Sequence, residues 1–381
     1  MKKNLLMWDE SVFQDMEVFE FDFVPGQFDF RDAQERELAF QIQPALRGGR
    51  PLNAICRGLP GTGKTTSIRK LFTQIEEHTR KVVPVHINCQ IDNTKFAIFS
   101  QIFRRLSGHA PPSSGTSFKQ VFDAVCHLLV KDKTVLLVCL DDANYLMYEN
   151  EINKVLYTLL RAHESYPGTK IGVITVISDM SVDLIKSVDA RVASVFQPTD
   201  IYFPPYDEDE IKEILHQRVK QGFYPGVVSD EMLTLITEQT LKGGDLRVGI
   251  DLLKRAGLNA EKDARRSLER DDVCRAYEIS KYLHLTATIQ AIRPEERALL
   301  RLIAERSREE KEMITGAVHK AVKASPKKLG YTRFYEIITK FDSMRLINLH
   351  YREGRGRTRL ITLRYEPDRV IEVIDSTDSA N

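Results

Sequence analysis

Gly58-Leu59-Pro60-Gly61-Thr62-Gly63-Lys64-Thr65 sets the architecture expected for this chain. It follows a short apolar run, 52–56, typical of a strand, and opens an amphipathic stretch, 66–72, typical of a helix. A strand, a glycine loop and a helix are the context in which G-x-x-x-x-G-K-[ST] binds phosphate. Glycines let successive backbone N–H groups surround a phosphate because they have no Cβ to clash. A glycine-rich turn with a chance lysine is the alternative, and the full spacing with both flanks argues against it.

The side chains that follow the glycines match a nucleotide site with its metal. Lys64 supplies a point charge for the β- and γ-phosphates, and the Thr65 hydroxyl can ligate Mg²⁺. The helix that begins near Lys64 adds the positive end of its dipole. We therefore expect ATP or ADP with Mg²⁺ to bind here. The predicted nucleotide contacts of this loop are Pro60, Gly61, Thr62, Gly63, Lys64, Thr65 and Thr66.

Composition restricts the class of protein. A chain of 381 residues is long enough for two or three domains. The five cysteines show no paired spacing, which argues against a zinc site or a disulfide framework and suits a reducing cytosol. The N-terminus has no signal-peptide core, and the longest apolar run, 135–140, is too short to cross a bilayer. We expect a cytoplasmic protein with no membrane partner.

Charge is distributed unevenly along the chain. The total is +1, but residues 311–365 hold thirteen Lys/Arg and four Asp/Glu, which gives this segment a net charge of +9 and leaves −8 on the rest. Such asymmetry indicates a module that binds a polyanion. A solvated basic surface is the alternative reading.

Apolar runs alternate with helical patterns as far as residue 203, which predicts a parallel sheet. Asp141, Asp142 and Asp179 each follow such a run, so they should converge at the carboxyl edge of the sheet, beside the phosphate loop. Asp141 is the expected Mg²⁺-side carboxylate, and the residue after it usually positions the attacking water. A surface acidic turn is the alternative, and the buried strand before the pair argues against it.

Asp142 stands where glutamate is commoner, and its carboxylate ends roughly 1.5 Å short of the glutamate position. A misplacement near 1 Å can cost on the order of a hundredfold in rate. We therefore expect Mg²⁺ and ATP to bind but hydrolysis to be slow.

From residue 207 the pattern is helical, and beyond residue 286 three helical stretches precede two alternating strands joined by a glycine-containing turn, 352–357. Three helices and a basic hairpin describe a winged helix. Arg333 and Lys340 lie on the face of the third helix opposite its apolar stripe, where they could reach a major groove. The hairpin residues suited to a minor groove or to backbone phosphates are Arg352, Arg355, Arg357 and Arg359.

Two further arginines have open interpretations. Arg191 is either a finger that reaches a neighbouring subunit's nucleotide or a partner in a structural salt bridge, and the sequence favours neither. Arg247 follows Gly244-Asp245 at a helix start, so it is either a γ-phosphate contact or part of a capping salt bridge.

The combination of motifs resembles the archaeal replication initiators related to the origin-recognition complex and its Cdc-type partner, which are AAA+ ATPases. The resemblance covers about 23–365. Its motifs here are Val24-Pro25 followed by Arg31, Asn88-Cys89-Gln90, Asp189-Ala190-Arg191-Val192, Phe203-Pro204-Pro205-Tyr206 and Gly244-Asp245-Leu246-Arg247.

The resemblance implies an α/β AAA+ P-loop core with a parallel sheet, an all-α lid and a C-terminal winged-helix domain. The expected divisions are a leader at 1–22, the core at 23–206, the lid at 207–284, the winged helix at 285–370 and a polar tail at 371–381, which is expected to be frayed after residue 374.

The resemblance also assigns roles. Tyr206 and Arg218 match family positions that contact the nucleotide, and it favours the γ-phosphate role for Arg247. The insertion helix with Lys95, Arg104 and Arg105 lies where family members touch DNA a second time. Two departures, Asp142 for glutamate and Asp179 for asparagine, argue against hydrolysis rather than against binding, and indicate a divergent paralogue.

Three functions are therefore considered. The first is an ATP-gated initiator with weak or absent turnover, associated with the nucleoid, that binds origin duplex and recruits partners such as a replicative helicase and paralogous initiators. The second is a nucleotide-bound regulator of transcription or plasmid maintenance that loads no helicase. The third is an ATPase that remodels proteins.

Overall fold

A computed structural model describes residues 11–26, 29–112, 115–178, 180, 182–280, 282–324, 329–344, 346–351 and 359–379. The chain divides into two compact units, Met1–Val273 and Cys274–Asn381. The first unit contains the expected leader and core, together with the expected lid as far as residue 273. The division lies about ten residues before the expected start of the winged helix, within a helix, Arg270–Ser280.

A five-stranded parallel sheet forms the centre of the first unit, as predicted. The spatial order β2-β3-β4-β1-β5 places the strand before the phosphate loop between two neighbours. The strands are β1 (Ala54–Arg57), β2 (Val82–Asn88), β3 (Val135–Asp141), β4 (Lys170–Ile177) and β5 (Thr199–Tyr202).

Helices connect these strands and continue beyond them. Before and between the strands lie a 3-10 helix (Glu17–Phe19), α1 (Asp32–Leu46), α2 (Lys64–His78), α3 (Lys95–Ser107), α4 (Phe118–Lys131), α5 (Asn144–Tyr148), α6 (Ile152–Leu160), α7 (Ala162–Ser165), α8 (Leu184–Ser187) and α9 (Ala190–Phe196). The segment expected to form the lid, 207–284, contains α10 (Glu208–Gly222), α11 (Asp230–Gly243), α12 (Leu246–Lys262) and α13 (Arg270–Ser280).

The sheet is covered on both faces, which explains why its strands are apolar throughout. All seven residues of β3 are buried. Alternate β3 side chains belong to two separate clusters: Leu136 packs with residues of α3 and α4, and Leu137 packs with residues of α1 and α2. β3 pairs with β2 on one side and with β4 on the other, so its last residue, Asp141, lies at the carboxyl edge of the sheet.

The described part of the leader packs against the lid, a contact that the sequence pattern did not predict. Phe13 stacks on Phe223 with ring centroids 4.8 Å apart, and Phe19 lies 4.9 Å from the same ring. Gly222 makes room for this cluster, since a Cβ there would lie 2.3 Å from the Phe19 ring. Burial of aromatic rings of this size dominates local packing energy, so the leader belongs to the fold.

The second unit has the three helices and the antiparallel hairpin expected of a winged helix. Its elements are α14 (Leu283–Ala291), α15 (Pro294–Arg308), α16 (Thr315–Ala324), α17 (Tyr331–Ser343), β6 (Ile347–Tyr351), β7 (Arg359–Leu363) and α18 (Pro367–Ser379). The prediction of a polar tail from residue 371, frayed after residue 374, is wrong. Val370, Val373 and Ile374 of α18 are buried in the core of this unit, because the apolar residues recur at helical spacing.

Within the described ranges, no helix combines the length and apolar character needed to cross a membrane.

Candidate functional site

The phosphate loop forms a cradle into which no side chain would fit. Gly61 and Gly63 adopt left-handed backbone conformations, with φ of 74° and 87°. A Cβ on Gly61 would lie 2.2 Å from Asp245 Oδ1, and one on Gly58 would lie 2.4 Å from the carbonyl oxygen of Phe203. Both contacts are shorter than any real Cβ contact, so the glycines are required where the chain passes closely between its neighbours. Pro60 lies between them, partly buried.

Lys64 is the first residue of α2 and is folded back onto the loop. Its Nζ donates hydrogen bonds of 2.8 Å to the carbonyl oxygens of Gly58 and Leu59. The side chain is 4% exposed, and this burial lowers the pKa of Lys64 to about 8. Thr62 closes the loop internally, donating from its hydroxyl to the Leu59 carbonyl at 2.8 Å. Thr65 and Thr66 follow in the first turn of α2.

Asp141, the last residue of β3, lies within hydrogen-bond distance of the phosphate-loop helix. Its Oδ2 accepts from the Thr65 hydroxyl at 2.9 Å and lies 2.9 Å from Nε2 of His86 on β2. Burial alone would raise the pKa of Asp141, but the hydrogen bonds from His86 and Thr65 and the charge of Lys64 outweigh burial and lower it. The carboxylate is therefore ionised at neutral pH, beside a hydroxyl, which is a donor set that suits Mg²⁺.

Asp142 has an unusual backbone conformation, and two polar side chains bind its carboxylate. Its φ is 53°, which is uncommon outside glycine. Oδ1 accepts from the Ser178 hydroxyl at 2.8 Å, and Oδ2 accepts from Gln90 Nε2 at 3.1 Å. Burial first, and then the charge of Asp141, raise the pKa of Asp142. The two carboxylates therefore have opposite pKa shifts, an arrangement found at functional sites.

Arg31 reaches the phosphate loop from the leader side and is 1% exposed. Its Nε donates to the carbonyl of Thr62 at 2.9 Å, and Nη2 donates to the carbonyl of Pro204 at 2.7 Å. Its guanidinium carbon lies 3.7 Å from the centroid of the Tyr206 ring. Tyr206, a predicted nucleotide contact, is buried, and burial raises the pKa of its hydroxyl to about 12.

The lid arginines have partners of their own. Arg247 pairs with Asp245 at 2.6 Å, and the same carboxylate accepts from the Arg247 backbone N–H, so the capping salt bridge exists while about half of the side chain stays exposed. Arg218 is buried under the leader, where Nη1 donates to the Val18 carbonyl at 2.8 Å and the guanidinium lies 4.6 Å from the Phe23 ring. These contacts place Arg218 against the leader segment.

Arg191 lies near the start of α9 with its side chain 77% exposed; it approaches Asp189 at 3.9 Å, and its guanidinium lies 5.9 Å from the centroid of the Tyr157 ring. An exposed arginine with so loose a partner has no strong structural role. Asp179, the residue predicted beside the γ-phosphate, lies outside the described residues.

Two of the three predicted DNA contacts on α3 line a cavity. Arg104 and Arg105 line a space of about 630 Å³ with Arg69 of α2 and His86. Arg105 pairs with Glu76 and donates to the Pro84 carbonyl at 3.3 Å. Lys95 lies at the opposite end of α3, with Nζ 3.9 Å from the Phe118 ring centroid.

In the second unit the prediction that Lys340 faces DNA is wrong. Lys340 is 6% exposed, and its Nζ forms hydrogen bonds of 2.8 and 2.9 Å with the carboxylate of Glu296, which is 1% exposed. Its aliphatic stem packs inside while the charge is neutralised there, so helical spacing alone misassigned its face. Arg333 is partly exposed and pairs with Glu295 at 2.5 Å. Arg359 begins β7, and Arg352, Arg355 and Arg357 lie outside the described residues.

Comparison with known proteins settles the family. Residues 212–278 match the family described as Cdc6 AAA+ ATPase-type lid domain, and residues 48–183 match the family described as AAA domain. An ORC1-type DNA replication protein 3 from Haloarcula marismortui is 48% identical over 372 residues, covering 97% of this chain and 98% of the relative. The chain belongs to the ORC1-type DNA replication proteins. An ORC1-type DNA replication protein 2 from Methanosarcina mazei is 46% identical over 373 residues, with coverage of 97% and 98%.

Solved structures agree with the AAA+ fold of this ORC1-type chain. The Aeropyrum pernix ORC2 protein in its ADPNP–ADP complexes superposes with a TM-score of 0.71 at 25% identity, covering 97% of this chain and 99% of that one. The Aeropyrum pernix ORC1 protein in complex with DNA has a TM-score of 0.73 at 23% identity, with coverage of 97% and 98%. At that identity the second likeness concerns the fold alone.

Sequence reasoning missed three side chains of the ORC1-type nucleotide site. The sequence pattern does not single out His86, and it gives Arg31 only as part of a motif. Asp245, which lies against Gly61, is visible in the sequence only as a helix start. The alternation of β2 could have placed His86 on the face of Asp141, but the reach of Arg31 depends on how the segment before α1 folds.

Proposed function

We propose that this ORC1-type protein is an ATP-binding DNA replication initiator. In this proposal, nucleotide state controls the lid and the recruitment of replication proteins, and DNA is bound through the winged helix and through α3. The observation that carries the proposal is the phosphate loop itself. Lys64, Thr65 and Asp141 lie together beside it, at the carboxyl edge of the sheet. Its family membership supplies the context of replication.

The residues present fit an adenine nucleotide with Mg²⁺. A Cβ would clash at Gly58 and at Gly61, and in the described part of the chain Lys64 Nζ donates to two carbonyl oxygens, which a bound phosphate would replace. Thr65 and Asp141 would hold Mg²⁺, which neutralises charge on the β- and γ-phosphates when it is bound. Tyr206, just before the first lid helix, and Arg247, within the lid, would contact the nucleotide. Among relatives of known structure, the Aeropyrum pernix ORC2 protein holds ADPNP and ADP.

Hydrolysis is proposed to be slow. The short side chain of Asp142 is engaged by Ser178 and Gln90, and its raised pKa makes it less often ionised than an ordinary aspartate. A water-positioning carboxylate must reach the water near the γ-phosphate, and Asp142 is both short and restrained. Arg191, free to reach a neighbouring subunit, and Asp179 complete the proposed catalytic set.

DNA binding is proposed for the basic second unit. The net charge of +9 in 311–365 attracts a polyanion, and the fold presents α17 and a basic hairpin. The proposed contacts are Arg333, Arg352, Arg355, Arg357 and Arg359 in that unit, with Lys95, Arg104 and Arg105 in the first. The Aeropyrum pernix ORC1 protein, of the same fold, is known in complex with DNA. We also propose a cytoplasmic, nucleoid-associated location and contacts with a replicative helicase and paralogous initiators.

A regulator without helicase loading is the second candidate, favoured by the unusual Asp142. Mapping the chromosomal binding sites separates the two. An initiator occupies origins with AT-rich unwinding elements, and a regulator occupies promoters.

The DNA assignment is tested with the double variant Arg355→Ala/Arg357→Ala. Duplex affinity should fall broadly across sequences and its salt slope should decrease by about one or two, because phosphate contacts release counterions. ADP affinity should stay unchanged. The matched control is Arg308→Ala/Arg369→Ala, which removes the same charge from arginines paired with Asp368 and Glu372. If both double variants lost the same duplex affinity, the change in net charge alone would explain the loss, and a hairpin contact would be refuted.

A further inference from the structure

We propose that Arg31 is a positioning residue that fixes the phosphate loop in its binding conformation and links it to the hinge before the lid. The inference deepens the proposed nucleotide site and rests on it. Arg31 precedes α1 and carries no part of the G-x-x-x-x-G-K-[ST] pattern. Its role follows from the two carbonyl groups that it joins.

The first of these groups is the Thr62 carbonyl, inside the loop. The peptide between Thr62 and Gly63 is planar and trans, so its C=O and N–H point in opposite directions. Arg31 Nε binds the oxygen at 2.9 Å, and therefore the Gly63 N–H points away from Arg31. Gly63 is left-handed, with no Cβ to resist rotation of this peptide, so the guanidinium supplies the restraint that the glycine lacks.

The second group is the Pro204 carbonyl, which follows β5 and comes two residues before Tyr206. Arg31 Nη2 donates to it at 2.7 Å, while the guanidinium lies against the Tyr206 ring. Asp207, the next residue, is the N-cap of α10, the first lid helix. One side chain therefore connects the phosphate loop to the point at which the chain leaves the sheet for the lid.

Burying the charged side chain of Arg31 costs free energy of folding. The side chain is fully buried, and among the described residues its polar partners at hydrogen-bond distance are carbonyl oxygens, with no carboxylate within salt-bridge distance. Burial lowers the pKa of Arg31, and its interactions with Tyr206 and with the more distant Glu210 carboxylate offset part of that cost. A buried cation without a close carboxylate is expensive even when it is hydrogen-bonded. It also adds positive potential behind a cradle that binds phosphate. The third partner is the carbonyl of Phe30, a residue with a φ of 68°, so the chain turns sharply just before Arg31.

The experiment compares Arg31→Lys and Arg31→Gln with the wild type in the full-length chain. Fluorescent ADP is titrated well below the melting temperature, and ligand-free unfolding is recorded separately. Arg31→Gln should bind ADP at least tenfold more weakly than the wild type. Arg31→Lys keeps the charge but loses the planar guanidinium with its several donors, so its ADP affinity should lie between those of Arg31→Gln and the wild type. Arg265→Lys is the control, because Arg265 also forms a double contact, to Asp272, but none to the loop.

Hydrogen exchange of the ligand-free protein gives a readout that stability alone would not move. Amides of the loop, residues 58–63, should exchange faster in Arg31→Lys, while those of β3 keep wild-type protection. Should Arg31→Gln fail to fold, Arg31→Lys carries both measurements. Wild-type ADP affinity and loop exchange in the folded Arg31 variants would overturn the inference. A wild type that binds no ADP would instead overturn the proposed nucleotide site, and the inference with it.

Discussion

Raising the pH should weaken nucleotide binding through Lys64. Burial lowers the pKa of this ammonium to about 8 in the ligand-free chain, and only the charged form attracts phosphate. A bound phosphate favours the charged form and raises that pKa, so affinity is complete below pH 8 and falls as the pH rises above it. With a ligand-free pKa of about 8, affinity at pH 9 should be roughly tenfold lower than at pH 7.

The assay is a titration of ADP between pH 7 and pH 9.5, without Mg²⁺, so that metal binding at Asp141 does not contribute. Lys64→Arg is the matched control, because its guanidinium keeps its proton throughout the range. The variant should bind more weakly than the wild type at pH 7 but with no further loss at pH 9. Wild-type affinity that stays flat to pH 9.5 would show that Lys64 is not titrated as its burial implies. The same loss in Lys64→Arg would assign the effect to another group.

Three further variants test other parts of the account. Asp142→Glu should raise ATP turnover by roughly tenfold to a hundredfold, measured as phosphate release, if carboxylate reach is limiting; an unchanged rate would contradict that reason for slow hydrolysis. Lys340→Met should destabilise the second unit by about 3 kcal/mol in thermal unfolding, because it removes the nearest cation from the buried Glu296 carboxylate, which keeps only the Arg293 N–H at 2.9 Å and a 3.7 Å approach of Arg333 among the described contacts. Adding Glu296→Gln should recover part of that loss, and wild-type melting of the single variant would argue against burial of the pair. Gly61→Ala should abolish ADP binding in calorimetry, because its Cβ would lie 2.2 Å from Asp245; wild-type affinity would show that the loop can yield.

Most of the fold could be predicted because local pattern and tertiary burial agree. The continuous apolar run of β3 is buried along its length, and the apolar stripe of α17 lies in the core of the second unit. Helix α18 was missed because its polar residues obscure Val370, Val373 and Ile374, which matter only when a core is present to receive them. Lys340 was misassigned for the same reason, since its burial depends on Glu296 from another helix.

The nucleotide site also contains residues that local sequence predicts and residues that it does not. Lys64, Thr65 and Asp141 follow from a contiguous motif and a strand end, and the structure brings their side chains together. Arg31 and Asp245 contact the loop from segments about 30 and 180 residues away, and no short-range pattern encodes such a contact.

The central claim is that one chain binds an adenine nucleotide at its phosphate loop and that this nucleotide alters its grip on duplex DNA. The most direct measurement is the affinity of the full-length chain for a labelled origin duplex when it is nucleotide-free, ADP-bound and ATP-bound, repeated with Lys64→Ala. The account predicts that wild-type affinity differs between these states and that the Lys64→Ala curves coincide. Identical wild-type curves in all three states, or no duplex binding in any of them, would contradict it.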